Sequence, residues 1–200
     1  YKRQEQGGAN LEAKDNRGET VFYKCFRSSV TEFLIGKGAN VNVANKDGDT
    51  RIHKLCNQAE SSPGSHIREL TLLVGAGADL NARGYRGRTA LGVGIENGKT
   101  SVVARLVQEG ADPCLGDDKG WNALHMACHK GRSKFLEMLF DAGVSVNEPT
   151  KTGWTALHLA VSSIWNRGSE DVVQKLLEHG ADPNTKNPVS GATPLAGAMS

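Results

Sequence analysis

A six-residue phrase of the form Gly-x-Thr-small-Leu-His recurs along this chain, and a fixed-period recurrence constrains a fold more tightly than any average property does. It is clearest as Gly153-Trp154-Thr155-Ala156-Leu157-His158 and Gly120-Trp121-Asn122-Ala123-Leu124-His125, with weaker copies starting at Gly18, Gly48, Gly87 and Gly191. A second phrase, Gly-Ala-Asp/Asn, follows at Gly38, Gly77, Gly110, Gly143 (as Gly-Val-Ser) and Gly180, and stands once more at Gly8 ahead of the first copy. The first phrase advances by 30, 39, 33, 33 and 38 residues. The regular step is the native period; the short step marks a deletion and the long ones insertions.

Within a period the local chemistry is that of two helices and a loop. Thr at the phrase start is a good N-cap, because its oxygen accepts from the first free backbone N–H groups. Residues 123–128 read as a short helix with small residues on its packing side, and Gly131 breaks it. Residues 133–142 read as a second helix, with Phe135, Leu136, Met138 and Leu139 at helical spacing. Gly143 falls where a helix end favours a left-handed residue. One such unit cannot bury its own apolar face. Stacked neighbours can, so stability is a sum over repeats and their interfaces.

Both phrases resemble the ankyrin repeat, whose signature is Thr-Pro-Leu-His-x-Ala at the same period. Leu176-Leu177-Glu178-His179-Gly180-Ala181-Asp182-Pro183-Asn184 is similar to that family's second-helix ending and hairpin, and the resemblance extends over essentially all 200 residues. A tetratricopeptide array has a similar period but lacks both phrases. Only Thr193-Pro194-Leu195 keeps the family's Pro; Val21, Arg51, Ala90, Ala123 and Ala156 replace it, and the third copy has Gly92 in place of His, which makes its first helix the weakest expectation. The resemblance implies an all-α ankyrin-repeat solenoid, stacked helix-turn-helix units joined by β-hairpin loops. The expected repeats are 15–44, 45–83, 84–116, 117–149 and 150–187, with 1–14 the tail of a preceding repeat and 188–200 a truncated one. The first residue is not Met and neither end reads as a polar cap, which points to a fragment of a longer chain.

Composition narrows the partners. Net charge is +2, from 24 basic and 22 acidic residues, which is no nucleic-acid footprint. No apolar run reaches the length of a membrane span and no signal-peptide pattern opens the chain. Of the four cysteines, Cys25, Cys56 and Cys128 fall at small-residue positions of first helices and Cys114 in a hairpin; without a CxxC pair they read as reduced thiols, in an intracellular setting, cytoplasmic or nuclear.

His53, His125 and His158 occupy one slot in different repeats. Metal ligands must converge to about 2 Å from one ion, whereas stacked helices hold equivalent residues about 10 Å apart. The resemblance gives these histidines a role in ordering the hairpin through hydrogen bonds. There is no P-loop or dinucleotide fingerprint, and no Ser, Cys or Lys beside an evident base. The expectation is a non-enzyme without cofactor or metal.

The resemblance also places the residue between the phrase Gly and Thr on the concave side. That row reads Glu19, Asp49, Arg88, Trp121, Trp154 and Ala192, and a parallel row on the first helices reads Lys24, Lys54, Val93, Met126 and Leu159. Trp121, Met126, Trp154 and Leu159 are therefore expected as one aromatic and aliphatic patch, since rigid aromatic side chains are enriched at binding hot spots. The alternative is that each Trp packs on the neighbouring hairpin. Arg83, Tyr85, Arg86 and Arg88 share one hairpin, and Arg86 and Arg88 could grip an acidic or phosphorylated segment, or form only a solvated face. Ala59-Glu60-Ser61-Ser62-Pro63-Gly64-Ser65 reads as a polar loop between the helices of its repeat; the later insertion carries Ile164 and Trp165, either packed against the second helix or exposed as a contact. Asn81 and Asn184 match the context in which ankyrin-like repeats are hydroxylated, Leu eight residues before and Asp two before, or else bond the turn backbone.

The function expected is a non-catalytic, monomeric scaffold that binds a peptide or protein domain on its concave face, with no nucleic-acid or membrane partner. The alternative is a regulatory or targeting module packing on the rest of a larger enzyme or channel; a third reading is an inert spacer.

Overall fold

The computed structural model describes residues 10–25, 27–58, 64–162 and 169–197. First helices of successive units are α1 (Val21–Lys24), α3 (Arg51–Asn57), α5 (Ala90–Glu96), α7 (Ala123–His129), α9 (Ala156–Ser162) and α11 (Pro194–Gly197). Second helices are α2 (Ser28–Gly36), α4 (Ser65–Gly75), α6 (Thr100–Gln108), α8 (Leu136–Asp141) and α10 (Ser169–Glu178), with a 3-10 turn, Ser133–Phe135, leading into α8. Each first helix packs on the next, from α1 through to α11, while α2, α4 and α6 form a second row behind them.

The phrase caps the first helices as its chemistry requires. Thr20 Oγ1 accepts from Tyr23 N–H (3.2 Å), Thr89 Oγ1 from Gly92 N–H (3.3 Å) and Asn122 Oδ1 from His125 N–H (3.1 Å). At the far end of α8, Gly143 adopts φ 84°, and the N–H groups of Gly143 and Val144 donate back to the carbonyls of Phe140 (2.9 Å) and Leu139 (3.1 Å). Helix α5 forms in full although Gly92 replaces His. Gly94 has a packing reason: a Cβ there would stand 2.9 Å from Val103 Cγ2 and 3.6 Å from Cys56 Sγ, so its absence lets α6 and α3 close on α5.

The irregular steps have local causes. Helix α1 has four residues where α3, α5, α7 and α9 have seven, so the short step is one helical turn lost from a first helix. Cys25 consequently caps α1 rather than lying within it. Between Gly48 and Gly87 the surplus lies between α3 and α4 and in a longer α4; between Gly153 and Gly191 it lies between Ser162 and Ser169, in α10, and in a hairpin one residue longer. That hairpin closes Asn187 N–H onto Ala192 O, five residues on, where the two before it close across four.

The hairpins are turns without a strand ladder among the described residues. Two backbone bonds close each: Gly84 N–H to Arg88 O (2.8 Å) with Gly87 N–H to Gly84 O (2.9 Å), Asp117 N–H to Trp121 O (3.0 Å) with Gly120 N–H to Asp117 O (2.8 Å), and Thr150 N–H to Trp154 O (2.8 Å) with Gly153 N–H to Thr150 O (2.9 Å). One more stitches neighbours together: Lys46 N–H to Arg17 O (3.0 Å), Asp118 N–H to Arg86 O (3.1 Å), Lys151 N–H to Lys119 O (3.1 Å).

The core runs unbroken between the helix rows, through Leu34, Leu70, Leu91, Leu106, Leu124, Leu139, Leu157 and Leu176. Cys25, Cys56 and Cys128 are buried in it, and Cys114 is exposed. One polar group belongs to the interior as well. Arg51, in the slot where the last copy has Pro, is 1% exposed and lies against Glu69 of α4.

Candidate partner-binding groove

The histidine slot builds the groove's frame. His125 Nδ1 accepts from Asn122 N–H (3.3 Å), so its Nε2 carries the proton and donates to Glu148 O (2.9 Å). His53 repeats this with Thr50 N–H (3.2 Å) and Arg88 O (3.0 Å), His158 with Thr155 N–H (3.3 Å) and Ala192 O (3.1 Å). His53 and His158 each tie a first helix to the hairpin of the following unit, and His125 ties α7 to the segment at the end of its own unit that leads into the next hairpin. Burial holds His125 neutral, its pKa down at about 4, and lowers His53 in the same way. Among the described residues no group of three or more His, Cys, Asp or Glu is placed to hold a metal ion, and no helix is long and apolar enough to cross a membrane.

On this frame a cavity of about 360 Å3 opens between the third and fourth hairpins and the helices below them. Arg86, Arg88, Trp121 and Met126 all line it. Trp121 is held by its own hairpin, its N–H donating to Asp117 Oδ1 (2.9 Å), and its ring meets His129 edge-on at 4.9 Å. Burial and the neighbouring Lys130 lower the His129 pKa, so the ring adjoining Trp121 is neutral at pH 7. Met126 is only 4% exposed and supplies floor rather than reach. Arg88 pairs with Glu96 (2.6 Å), and Lys130 pairs with the same carboxylate (3.1 Å). This bridge separates the cavity from a second, more polar one of about 560 Å3 that reaches Tyr23, Lys54 and Tyr85. There Lys54 lies over the Tyr23 ring at 4.6 Å, and its pKa is lowered first by burial and then by Arg51.

The arginine hairpin divides its labour. Arg83 reaches the next finger, donating to Gly116 O (2.8 Å) beside Asp118 (3.5 Å). Arg88 is committed to Glu96. Arg86 is exposed, with its guanidinium over the Tyr85 ring at 5.0 Å and its own backbone left-handed at φ 57°. That conformation is uncommon for a side chain with a Cβ.

The expected aromatic and aliphatic patch is not assembled as one surface. Trp154 is half-buried edge-on to His158 at 5.4 Å, and it does not line the Trp121 cavity. Leu159 is 6% exposed, so it offers a partner almost no area; every residue of α9 from Ala156 to Ala160 is buried. Trp165 and Ile164 lie outside the described residues, as do residues 59–63 of the earlier insertion. Six groups not expected from the repeat pattern join the cavity instead: Glu96, Asp117, Asp118, Lys119, His129 and Lys130. Glu96 and His129 share a signal that was available, since each stands nine residues after its phrase Gly.

Asn81 and Asn184 differ. Asn81 Oδ1 accepts from Asp112 N–H of the next unit (2.8 Å) while its own N–H donates to Asp79 (2.9 Å). Asn184 is exposed, its N–H on Asp182 Oδ1 (2.8 Å). Cys114 occupies the equivalent position between them, where Asn42 and Asn147 bond the following hairpin as Asn81 does.

The family model for ankyrin repeats, in three copies, matches residues 95–187. A Rickettsia felis protein described as an ankyrin repeat protein is 32% identical over 102 residues, which make up 48% of this chain and 44% of that protein. The match thus spans less than half of the relative's length.

Proposed function

We propose that this chain, an ankyrin-repeat protein, is a monomeric, non-catalytic scaffold that binds a protein or peptide on its concave side. Ankyrin repeats are in general protein-interaction modules. The observation that carries the finer reading is the Trp121 cavity, which gathers Arg86, Arg88, Trp121 and Met126 from two successive units into one concave site. A pocket with an apolar wall and a few convergent polar groups is where a rigid scaffold concentrates recognition. Four free thiols, three of them buried, support an intracellular setting, cytoplasmic or nuclear. Asn184, rather than Asn81, is the position proposed for hydroxylation, because Asn81 already bonds the next hairpin.

Site-directed photo-crosslinking tests the reading. A benzophenone side chain at Lys119, on the groove, is compared with one at Glu137, on α8. Binding on the concave side requires adducts from position 119, competed by the unlabelled chain, in excess over those from position 137. Equal or reversed yields would remove the groove from consideration.

A further inference from the structure

The acids and cations that line the Trp121 cavity are not matched one to one, and the imbalance identifies what fits there. Glu96 is shared by two cations, Arg88 and Lys130. Asp118 faces Arg83. Asp117 is used internally, its Oδ1 accepting from the N–H groups of Lys119 (2.8 Å) and Trp121 (2.9 Å). Among the described residues neither Arg86 nor Lys119 has a carboxylate within salt-bridge distance, and both side chains are exposed at the cavity rim on adjacent hairpins. The wall between them is the Trp121 ring. The site is therefore an aromatic slot whose acids are already engaged and whose rim carries unmatched positive charge.

Resting on the concave-face reading above, we infer that the cavity takes an acidic segment of a protein partner in which a large apolar residue is flanked by aspartate or glutamate. The apolar side chain enters against Trp121 and Met126, where burial of apolar surface drives association. Flanking carboxylates meet Arg86 and Lys119, whose donors are arranged on two hairpins locked together by the Asp118-to-Arg86 backbone bond. Arg can bind a carboxylate with two parallel hydrogen bonds, and Lys as a point charge. A basic segment would meet these two cations, while Glu96 is already held by Arg88 and Lys130 and Asp118 faces Arg83. Charge complementarity of this kind sets orientation and rejects wrong partners.

The probe is a random 12-residue peptide library displayed on phage and selected on the full chain, followed by synthesis of the enriched peptides and titration by fluorescence anisotropy. The expected result is enrichment of Leu, Ile, Phe, Trp or Met adjoining Asp or Glu. Reversing both rim charges (R86E with K119E) should weaken the selected peptides at least about tenfold, and W121A by a similar factor. Raising salt from about 0.05 M to about 0.5 M should weaken the native protein more than the charge-reversed one, because exposed pairs are screened. Enriched peptides that are basic or neutral, yet lose binding with W121A, would overturn the acidic assignment and leave the concave-face reading standing. Enriched peptides indifferent to R86E, K119E and W121A together would overturn both. Failure to enrich any peptide over a selection on the R86E/K119E protein also rejects the acidic assignment.

Discussion

Arg51 and Glu69 form an ion pair sealed inside the second unit, their side chains 1% and 7% exposed and Arg51 Nη2 2.5 Å from Glu69 Oε1. Arg51 Nε donates to the same oxygen at 2.7 Å, while Nη1 donates to Tyr23 O at 3.1 Å. Thr31 Oγ1 adds a longer bond to Glu69 (3.4 Å). One guanidinium thus ties α3 to α4 and to the end of the one-turn helix α1, and Glu69 in turn reaches α2. This polar joint sits where the unit before it has lost a helical turn.

Breaking that joint from one side should be costly. Glu69→Ala leaves a buried guanidinium unpaired, and removing one partner of a buried pair typically costs about 3–5 kcal/mol. Replacing both, as Arg51→Met with Glu69→Leu, should recover most of that loss, since apolar residues of similar volume often substitute for a buried pair at little net cost. Urea unfolding midpoints of the two proteins decide it. A Glu69→Ala midpoint equal to that of the native chain would show that water reaches Arg51 and that the pair is not sealed.

The two tryptophans should behave differently in binding. Trp121 lines the cavity and Trp154 does not, although both stand in the same slot of adjacent units. Trp121→Ala is expected to weaken a groove ligand by about 2 kcal/mol, and Trp154→Ala by less than about 0.5 kcal/mol. Titration of both variants with one groove-binding peptide is the check. Equal losses would restore the extended patch expected from the sequence.

Much of the architecture was legible because it repeats. Thr20, Thr89 and Asn122 cap helices where the phrase places them, and Leu124 and Leu157 are buried where it places its Leu. The site was less legible because a repeat register gives a residue's slot but not its reach. Leu159 and Met126 share a slot that is half-buried at Lys54 and Val93, yet they are 6% and 4% exposed, and only Met126 lines the cavity. Glu96 and Lys130 enter the site through a salt bridge between units, and no periodicity within one unit reports it. Arg51 in a slot that elsewhere takes Val, Ala or Pro signalled a departure; its partner Glu69 is set by the tertiary packing of α4 on α3.

Thiol chemistry should report the register directly. Cys56 and Cys128 are buried, and burial pushes the Cys56 thiol up to about 12 and raises Cys128 as well. Thiolate is the reactive form, so both should resist a disulfide reagent until the chain unfolds. Cys25 is shielded by burial and by its bond to Phe22 O (3.0 Å). Cys114 is exposed, and although partial desolvation and Asp112 raise its pKa, access makes it the first to react. Native-state labelling followed by peptide mass spectrometry should find one fast cysteine, at position 114. Fast labelling at 56 or 128 would contradict the packing of α3 and α7.

Stability should fall in mild acid, and the frame histidines set the window. In the folded chain His125 has a pKa of about 4, depressed chiefly by burial, against 6.5 for the solvent-exposed imidazole of an unfolded chain. Between those values the unfolded state binds a proton that the folded state does not. Folding stability therefore rises with pH across the window; the contribution is fully present above about pH 6.5 and is lost progressively as the pH drops toward about 4. For one such group the loss amounts to roughly 3 kcal/mol at the lower end, and His53, shifted in the same direction, adds to it. The structural cause is specific: protonation forces Nδ1 to give up the Asn122 N–H, because an imidazolium nitrogen cannot accept. Urea unfolding at a series of pH values from 7 to 4 measures the slope, and His125→Gln should flatten it while lowering stability at neutral pH. A native slope indistinguishable from that of the variant would mean that His125 titrates as it does in the unfolded chain and does not hold the hairpin as a neutral ring.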